Sequence, residues 1–263
     1  MRALAMTALL FTATVSSTAS LFGGHAMAAS KPTVILVHGA FADASSWDGV
    51  VSNLLKQGYP VIALANPLRG VATDAANVSS VVRSVKGPVV LVGHSYGGPV
   101  ISAAANGNAN VKALVFVAAF APDAGETASG LSEKFPGSSL GATLQAPVAL
   151  ADGRHDLYID QQKFPAQFAA DVPLVTARLM AVTQRPVAAE ALNEEVATPG
   201  WKTLPSWFIY GSADLNIPPA AHAFMAIRAG ARETIVVAGA SHVVMISNPG
   251  KVSKIIEAAA EAD

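Results

Sequence analysis

A serine, an aspartate and a histidine, in that order along the chain, have the side chains that nucleophilic catalysis requires. Ser95 lies in the pentapeptide GHSYG, between an apolar run and an alanine-rich one. A serine hydroxyl is a weak nucleophile at neutral pH, so it needs a histidine to accept its proton and a carboxylate to orient that histidine. The pentapeptide alone is a weak signal, because a serine in a plain turn between glycines has the same pattern.

Five histidines follow residue 30, and His242 is the candidate base. It lies in the segment AGASHVVMISNP, between the last predicted strand and the last predicted helix. His94 adjoins the serine and is predicted to pack or to form hydrogen bonds, and His38 belongs to another loop. His155 and His222 are predicted to be exposed or to belong to an inserted segment.

The candidate acid is Asp214, in the segment FIYGSADLNIPP, directly after a predicted buried strand. The alternative is Asp123 in AFAPDAG, which we expect to cap a turn. With Asp214, the chain order is nucleophile, acid, base, the order found when a G-x-S-x-G serine stands on a strand-to-helix turn.

Catalysis by such a serine also needs two N–H donors for the oxyanion, each worth about 3 to 4 kcal/mol in the transition state. The backbone of Tyr96, directly after the serine, is predicted to supply one. The loop HGAFADASSW after the first predicted strand supplies the other, from Phe41 or else from Ala40. No metal and no cofactor is expected.

The elements that must position these residues alternate between strand and helix. Apolar runs predict strands at 33–37, 60–64, 87–93, 111–120, 206–211 and 233–239, and helical spacing fills the stretches between most of them. Strands that are apolar on both faces indicate a mostly parallel central sheet flanked by helices, an α/β fold. The serine then stands between a buried strand and a helix, as the motif requires.

The alternation stops between residues 122 and 204, a stretch too long for a loop. We expect an inserted, mainly helical cap there, with the core formed by residues 31–121 and 205–263. Its apolar residues are candidates for the walls of a substrate pocket. They are Leu144, Leu150, Leu157, Phe164, Phe168, Leu179 and Met180.

The N-terminus and the composition limit the possible functions. Residues 1–28 have a positive charge at Arg2, an apolar run and a small-x-small site at 26–28, which predicts a signal peptide cleaved after Ala28 and a periplasmic or secreted protein. The net charge is −1, so nucleic acid is not an expected partner. The chain has no cysteine, which excludes disulfides and thiolate sites. We expect no stable membrane insertion after cleavage, and the oligomeric state is not predicted.

With these motifs in order, the chain resembles the α/β-hydrolase superfamily from residue 31 onward. VHGAFADASSW, GHSYGG, YGSADLNIP and GASHVVMISNP carry the resemblance, which is to small bacterial serine esterases related to plant methylesterases, hydroxynitrile lyases and pyrethroid hydrolases. The lyases of this branch have a lysine after the catalytic histidine, where this chain has Val243. Ser95 also differs from the aspartate nucleophile of haloalkane dehalogenases and epoxide hydrolases.

The resemblance implies a serine carboxylesterase that acts on a small to medium, apolar ester through an acyl-enzyme on Ser95. Several alternatives use the same three residues: a lactonase, a cofactor-free perhydrolase or haloperoxidase, and a C–C bond hydrolase. A slowly turning-over ligand receptor and a non-catalytic α/β domain are alternatives of another kind.

Overall fold

A computed structural model describes residues 31–262. The predicted signal peptide, residues 1–28, lies outside the described residues. Within the described part of the chain, no helix is long and apolar enough to cross a membrane. The same residues contain no group of three or more His, Asp or Glu side chains placed to hold a metal ion.

The core is a six-stranded sheet in which every neighbouring pair of strands is parallel. Its central strands are runs of β-branched and other apolar residues, buried on both faces because helices cover the sheet on each side. The predicted mostly parallel α/β fold is confirmed. The strands are β1 (Thr33–Val37), β2 (Val61–Leu64), β3 (Val89–His94), β4 (Val111–Val117), β8 (Ser206–Gly211) and β9 (Glu233–Val237). They lie side by side in the order β2-β1-β3-β4-β8-β9, and β5 to β7 belong to the segment between β4 and β8.

Helices connect these strands, and each turns an apolar face to the sheet. In the last helix, for example, Val252, Ile255, Ile256 and Ala259 recur at helical spacing and are buried. A short helix between the last loop and the last long helix, Val244–Ser247, is not predicted by the sequence pattern. The core helices are α1 (Asp48–Lys56), α2 (Val71–Ser84), α3 (Gly97–Ala104), α8 (Pro219–Arg228), α9 (Val244–Ser247) and α10 (Pro249–Glu261).

The segment between β4 and β8 contains four helices and a small antiparallel sheet. The pattern predicts a mainly helical cap and no sheet, because the strands of the sheet have only two or three residues each. The helices are α4 (Ala128–Lys134), α5 (Phe164–Phe168), α6 (Leu174–Thr183) and α7 (Ala189–Leu192). The strands are β5 (Val148–Ala149), β6 (His155–Leu157) and β7 (Val187–Ala188), in the order β5-β6-β7. We call residues 122–204 the cap, with the bounds drawn from the sequence.

Ionic contacts hold the cap to the core at separate places. Arg69, after β2, pairs with Asp156 of β6 at 2.6 Å. The Glu194 carboxylate accepts hydrogen bonds from the backbone N–H groups of Val71 and Ala72, the first residues of α2. A carboxylate stabilises a helix at this end, where backbone N–H groups lack partners within the helix.

Candidate active site

Ser95 lies on a sharp turn between β3 and α3, in a strained backbone conformation. Its φ is +51°, in the left-handed region that residues other than glycine rarely adopt. The chain around it is crowded: a Cβ on Gly93 would lie 2.5 Å from the carbonyl oxygen of Gly97, and one on Gly97 would lie 2.5 Å from that of Val37. The two glycines of the motif are therefore required by close backbone contact, and the strained turn is the geometry of a nucleophile elbow.

His242 and Asp214 form a buried pair at the carboxyl ends of the last two strands of the core sheet. Asp214 follows β8 and His242 follows β9, and the Nδ1 of His242 lies 2.8 Å from the Oδ2 of Asp214. The other carboxylate oxygen accepts hydrogen bonds from the backbone N–H groups of Asn216, at 2.8 Å, and Ile217, at 3.0 Å. Two predicted members of the site are thus in contact, in the relation that a base and its orienting acid need.

The charges in this pair favour an ionised acid. Burial alone raises the pKa of Asp214, but the facing histidines, His242 and His222, outweigh that effect and hold the pKa well below its ordinary value. Asp214 therefore remains a carboxylate across the neutral range. As an acceptor it keeps the ring proton of His242 on Nδ1, which leaves Nε2 with a free lone pair.

The structure records no hydrogen bond between Ser95 and His242. The His242 Nε2 atom is buried and has no hydrogen-bond partner among the described residues. Ser95 is 6% exposed and follows His94, whose ring centroid lies 4.8 Å from that of His242. Hydrogen bonds of this kind are often long in structures without substrate, so an unpartnered Nε2 beside the serine turn is compatible with a base.

The prediction for His222 is wrong: this residue is neither exposed nor part of the cap. It lies in the first turns of α8, is 1% exposed, and its Nε2 is 3.1 Å from the same Oδ2 of Asp214 that His242 contacts. The pattern contained a signal for this position, because Ala221, His222, Met225 and Ala226 form one apolar helix face directly after the loop of the acid.

Asp123, the alternative acid, lies away from this pair. Its carboxylate forms an ion pair with Lys202 and accepts a hydrogen bond from the backbone of Ala124. The hydrogen bond with Lys202 is the main cause that lowers the pKa of Asp123. The residue organises a turn on the surface, as expected.

The two alternative N–H donors predicted in the loop after β1, those of Phe41 and Ala40, differ in their surroundings. The backbone N–H of Phe41 donates to the carbonyl oxygen of Arg185 at 3.0 Å, so this donor is already occupied by the cap. Among the described residues, the N–H of Ala40 makes no such backbone bond. The N–H of Ala40, the alternative in the same loop, is therefore the one left available, while the Phe41 side chain lines one of the cavities described below.

Tyr96 is held rigidly beside the serine. Its side chain is fully buried, and its hydroxyl donates to the Oδ2 of Asp74 at 3.0 Å. Burial raises the pKa of Tyr96 far above its ordinary value, so the hydroxyl stays protonated and remains a donor. The side chain thus anchors the residue whose backbone N–H is the other predicted oxyanion donor.

Aromatic side chains from the cap cover His242. Phe168 of α5 is fully buried and lies edge-on to His242, with ring centroids 5.1 Å apart. Phe164 is also fully buried and packs on Phe168 at 4.8 Å. We predicted both as pocket walls; instead Phe164 belongs to the packed interior of the cap, and Phe168 covers His242.

Two cavities adjoin the loops of the site. One has a volume of about 420 Å³ and includes the predicted residues Leu144 and Leu157 together with Phe120, whose N–H donates to the Ser95 carbonyl. The other, of about 330 Å³, includes the predicted residues Leu179 and Met180 together with Phe41. Leu150 lines neither of these two cavities.

The segment around α5 also forms hydrogen bonds with the Asp214 loop and the His242 loop. The side-chain amide of Gln167 donates to the side-chain oxygen of Asn216, in the Asp214 loop. The hydroxyl of Ser241, next to His242, donates to the carboxylate of Asp171. These bonds fix the two loops against the same short part of the cap.

Comparisons with known proteins agree with this architecture. The profile of the Alpha/beta hydrolase family matches residues 34–255. The alpha/beta hydrolase nvfD of Aspergillus novofumigatus is 25% identical over 253 residues, which cover 88% of this chain and 97% of that protein. Polyneuridine aldehyde esterase has a TM-score of 0.76 at 19% identity, covering 87% of this chain and 98% of that one. A pyrethroid hydrolase from Sphingobium faniae JZ-2 has a TM-score of 0.70 at 21% identity, with 88% and 98% covered.

At these identities the two structural similarities are similarities of fold. The family profile covers the strands of the core, the serine turn and both loops of the buried pair. The resemblance inferred from the sequence motifs is confirmed: the chain belongs to the alpha/beta hydrolase family.

Proposed function

We propose that the protein is a serine carboxylesterase in which Ser95, His242 and Asp214 form the catalytic triad. One observation carries the proposal. A buried His242–Asp214 pair leaves the Nε2 of His242 without a partner, beside a serine in a strained strand-to-helix turn. An unpartnered buried nitrogen is costly to maintain, and such costs are typical of functional sites.

The reaction follows from this geometry. The Ser95 oxygen attacks the ester carbonyl while its proton passes to the Nε2 of His242, and the backbone N–H groups of Tyr96 and Ala40 stabilise the oxyanion. The carbon–oxygen bond to the alcohol then breaks, and His242 returns the proton to the leaving oxygen. A water molecule attacks the acyl-enzyme in the same way, releases the acid and restores Ser95. Asp214 stays ionised and stabilises the imidazolium at each step.

The cavities support a neutral, apolar ester as substrate. The cavity of about 420 Å³ is lined by seven apolar residues, three serines, an asparagine, a glycine and one charged residue, Glu133, which would repel an anionic group. The names of two similar proteins, an esterase and a pyrethroid hydrolase, also favour ester hydrolysis. We therefore propose esters of small to medium size without a negative charge near the carbonyl.

A Ser95→Ala variant tests the proposal. We expect kcat for a nitrophenyl ester to fall by about 10⁴-fold or more, since the nucleophile is removed while the oxyanion donors remain. A fluorophosphonate should label the wild type at Ser95 and leave this variant unlabelled. Ser80→Ala, an exposed serine of α2, is the matched control. Unchanged turnover in the Ser95 variant would refute the assignment.

A panel of nitrophenyl esters of increasing acyl length, lactones and a peracid assay separates the carboxylesterase from its alternatives. We expect kcat/KM to be highest for neutral esters. Labelling at Ser95 with negligible kcat on every substrate would instead indicate a receptor with this fold.

We also propose that the protein is exported, on the strength of residues 1–28 alone. N-terminal sequencing of the protein recovered from the periplasmic or secreted fraction should begin at residue 29. An intact N-terminus in the cytoplasmic fraction would contradict this proposal.

A further inference from the structure

The Asp214 carboxylate receives four hydrogen bonds, and the proposed triad accounts for one of them. His242 contacts Oδ2, and the backbone N–H groups of Asn216 and Ile217 contact Oδ1. The fourth partner is His222, whose Nε2 lies 3.1 Å from Oδ2. Both side chains of this contact are at most 1% exposed, so water does not compete with it.

The ring of His222 is held in a fixed orientation. It stacks on Tyr210 of β8, with ring centroids 4.6 Å apart and an angle of 19° between the planes. Tyr210 belongs to the strand that leads into the Asp214 loop, so the ring is positioned by the same element that carries the acid. Because a carboxylate oxygen only accepts, the Nε2 of His222 donates, and Asp214 binds two imidazole N–H groups through one oxygen.

From this arrangement we propose that His222 is a positioning residue for the hydrolytic reaction: its ring N–H shares the Asp214 carboxylate with His242 and thereby limits how strongly Asp214 stabilises the His242 imidazolium. The proposal rests on the catalytic triad of the preceding section. His222 does not touch the reacting atoms, and it acts only through Asp214.

The charged and titratable groups around His222 support a neutral ring at neutral pH. Burial lowers its pKa, the Asp214 carboxylate opposes this, and a charge on His242 would lower it further. Tyr210 stacks on the ring, and burial raises the pKa of that tyrosine, so it too is neutral. His94, whose ring centroid lies 4.8 Å from that of His242, has a pKa lowered by burial and is also uncharged.

Removal of the His222 donor should move the acid limb of the kcat/KM profile in one direction. The N–H of His222 binds the same Oδ2 as His242 and so reduces the negative charge that Oδ2 presents to His242. Without this donor, Asp214 interacts more strongly with a protonated His242. The imidazolium then forms at higher pH, so the acid side of the kcat/KM profile moves upward in pH.

Two substitutions separate this role from packing. His222→Phe keeps a ring that can stack on Tyr210 but removes the donor, whereas His222→Gln keeps a side-chain N–H. In His222→Phe we expect kcat/KM at a pH below the acid limb to fall about three- to tenfold, because more of His242 is protonated there, while kcat/KM on the plateau is not reduced. The acid limb should move upward by about 0.5 to 1 pH unit. His222→Gln should restore most of both properties.

A control variant, two folding measurements and an NMR signal accompany these substitutions. His155→Gln alters an exposed histidine of the cap and should match the wild type in kcat and in the position of the acid limb. Melting temperatures and circular dichroism show whether each variant folds. The downfield NMR signal of the His242 Nδ1 proton reports on the Asp214 contact without turnover, and we expect it to shift in His222→Phe.

An unmoved acid limb and an unmoved proton signal in folded His222→Phe would overturn the proposal, as would equal losses in the Phe and Gln variants. An active Ser95→Ala enzyme would instead refute the triad itself. The two failures are therefore distinguishable.

Discussion

Replacing Asp214 by asparagine should disable the base while leaving the fold in place. The substitution changes one carboxylate oxygen into an amide NH₂ without altering the shape of the side chain. The backbone N–H groups of Asn216 and Ile217 are fixed donors at 2.8 and 3.0 Å, so the remaining oxygen must face them. The NH₂ group must then face His242 and His222, which contacted Oδ2 at 2.8 and 3.1 Å.

The consequence for His242 follows from its two nitrogens. An NH₂ group only donates, so the Nδ1 of His242 must become an acceptor, and a neutral ring then has its proton on Nε2. That is the atom that must accept the proton of Ser95. The same change in other Ser–His–Asp enzymes lowers kcat by about 10⁴-fold, and we expect a loss of this size here. All four hydrogen bonds keep a partner, so the variant should still fold.

The assay is hydrolysis of a nitrophenyl ester at several pH values, together with the rate of fluorophosphonate labelling. Raising the pH should not restore activity, because the wrong tautomer is neutral. Asp123→Asn is the matched control, since Asp123 was the other candidate acid and is paired with Lys202 on the surface. A kcat for Asp214→Asn within tenfold of the wild type would refute this account of the site.

Three further predictions concern stability. Gly98→Ala places a Cβ 2.0 Å from the Phe120 carbonyl oxygen and should lower the free energy of unfolding by about 3 kcal/mol or more. Gly250→Ala, in open space on α10, should instead raise the free energy of unfolding by up to about 1 kcal/mol. Phe168→Ala removes a fully buried ring and should cost about 3 to 5 kcal/mol in urea denaturation; a loss under about 1 kcal/mol would contradict the packing described. Burial lowers the pKa of His38 to about 4. Below about pH 6.5 His38 is therefore protonated in the unfolded chain but not in the folded one, so the free energy of unfolding falls as the pH drops. Between pH 7 and 5 this group should remove about 2 kcal/mol, and His38→Gln should show a smaller decline over the same range.

The core of the fold could be predicted because its strands are continuous apolar runs. The first predicted strand, 33–37, coincides with β1, and the run at 206–211 coincides with β8. The small sheet of the cap could not be predicted, because strands of two or three residues have no readable period. The helix Val244–Ser247 is missed for the same reason, since one helical turn gives no repeat.

The pairing of Asp214 with His242 could be predicted from strand order, because the carboxyl ends of neighbouring parallel strands converge at one edge of the sheet. The partner of the Phe41 N–H could not, since Arg185 is distant in sequence and acts through its backbone. The contact of His222 with Asp214 depends on the direction in which α8 leaves the Asp214 loop, which residue types alone do not specify. The residue types therefore predicted which side chains form the candidate site, whereas tertiary packing determined which backbone and ring N–H groups bind them.

The hydrogen bonds from the α5 segment to both catalytic loops have a consequence for the evolution of substrate range. Gln167 holds the Asp214 loop and Asp171 holds the His242 loop, so a cap exchanged as a whole would also remove two supports of the catalytic centre. We therefore expect exchange of the whole cap to disturb both loops. New specificities are more accessible through substitutions in α6 and the small antiparallel sheet, which leave the α5 segment intact.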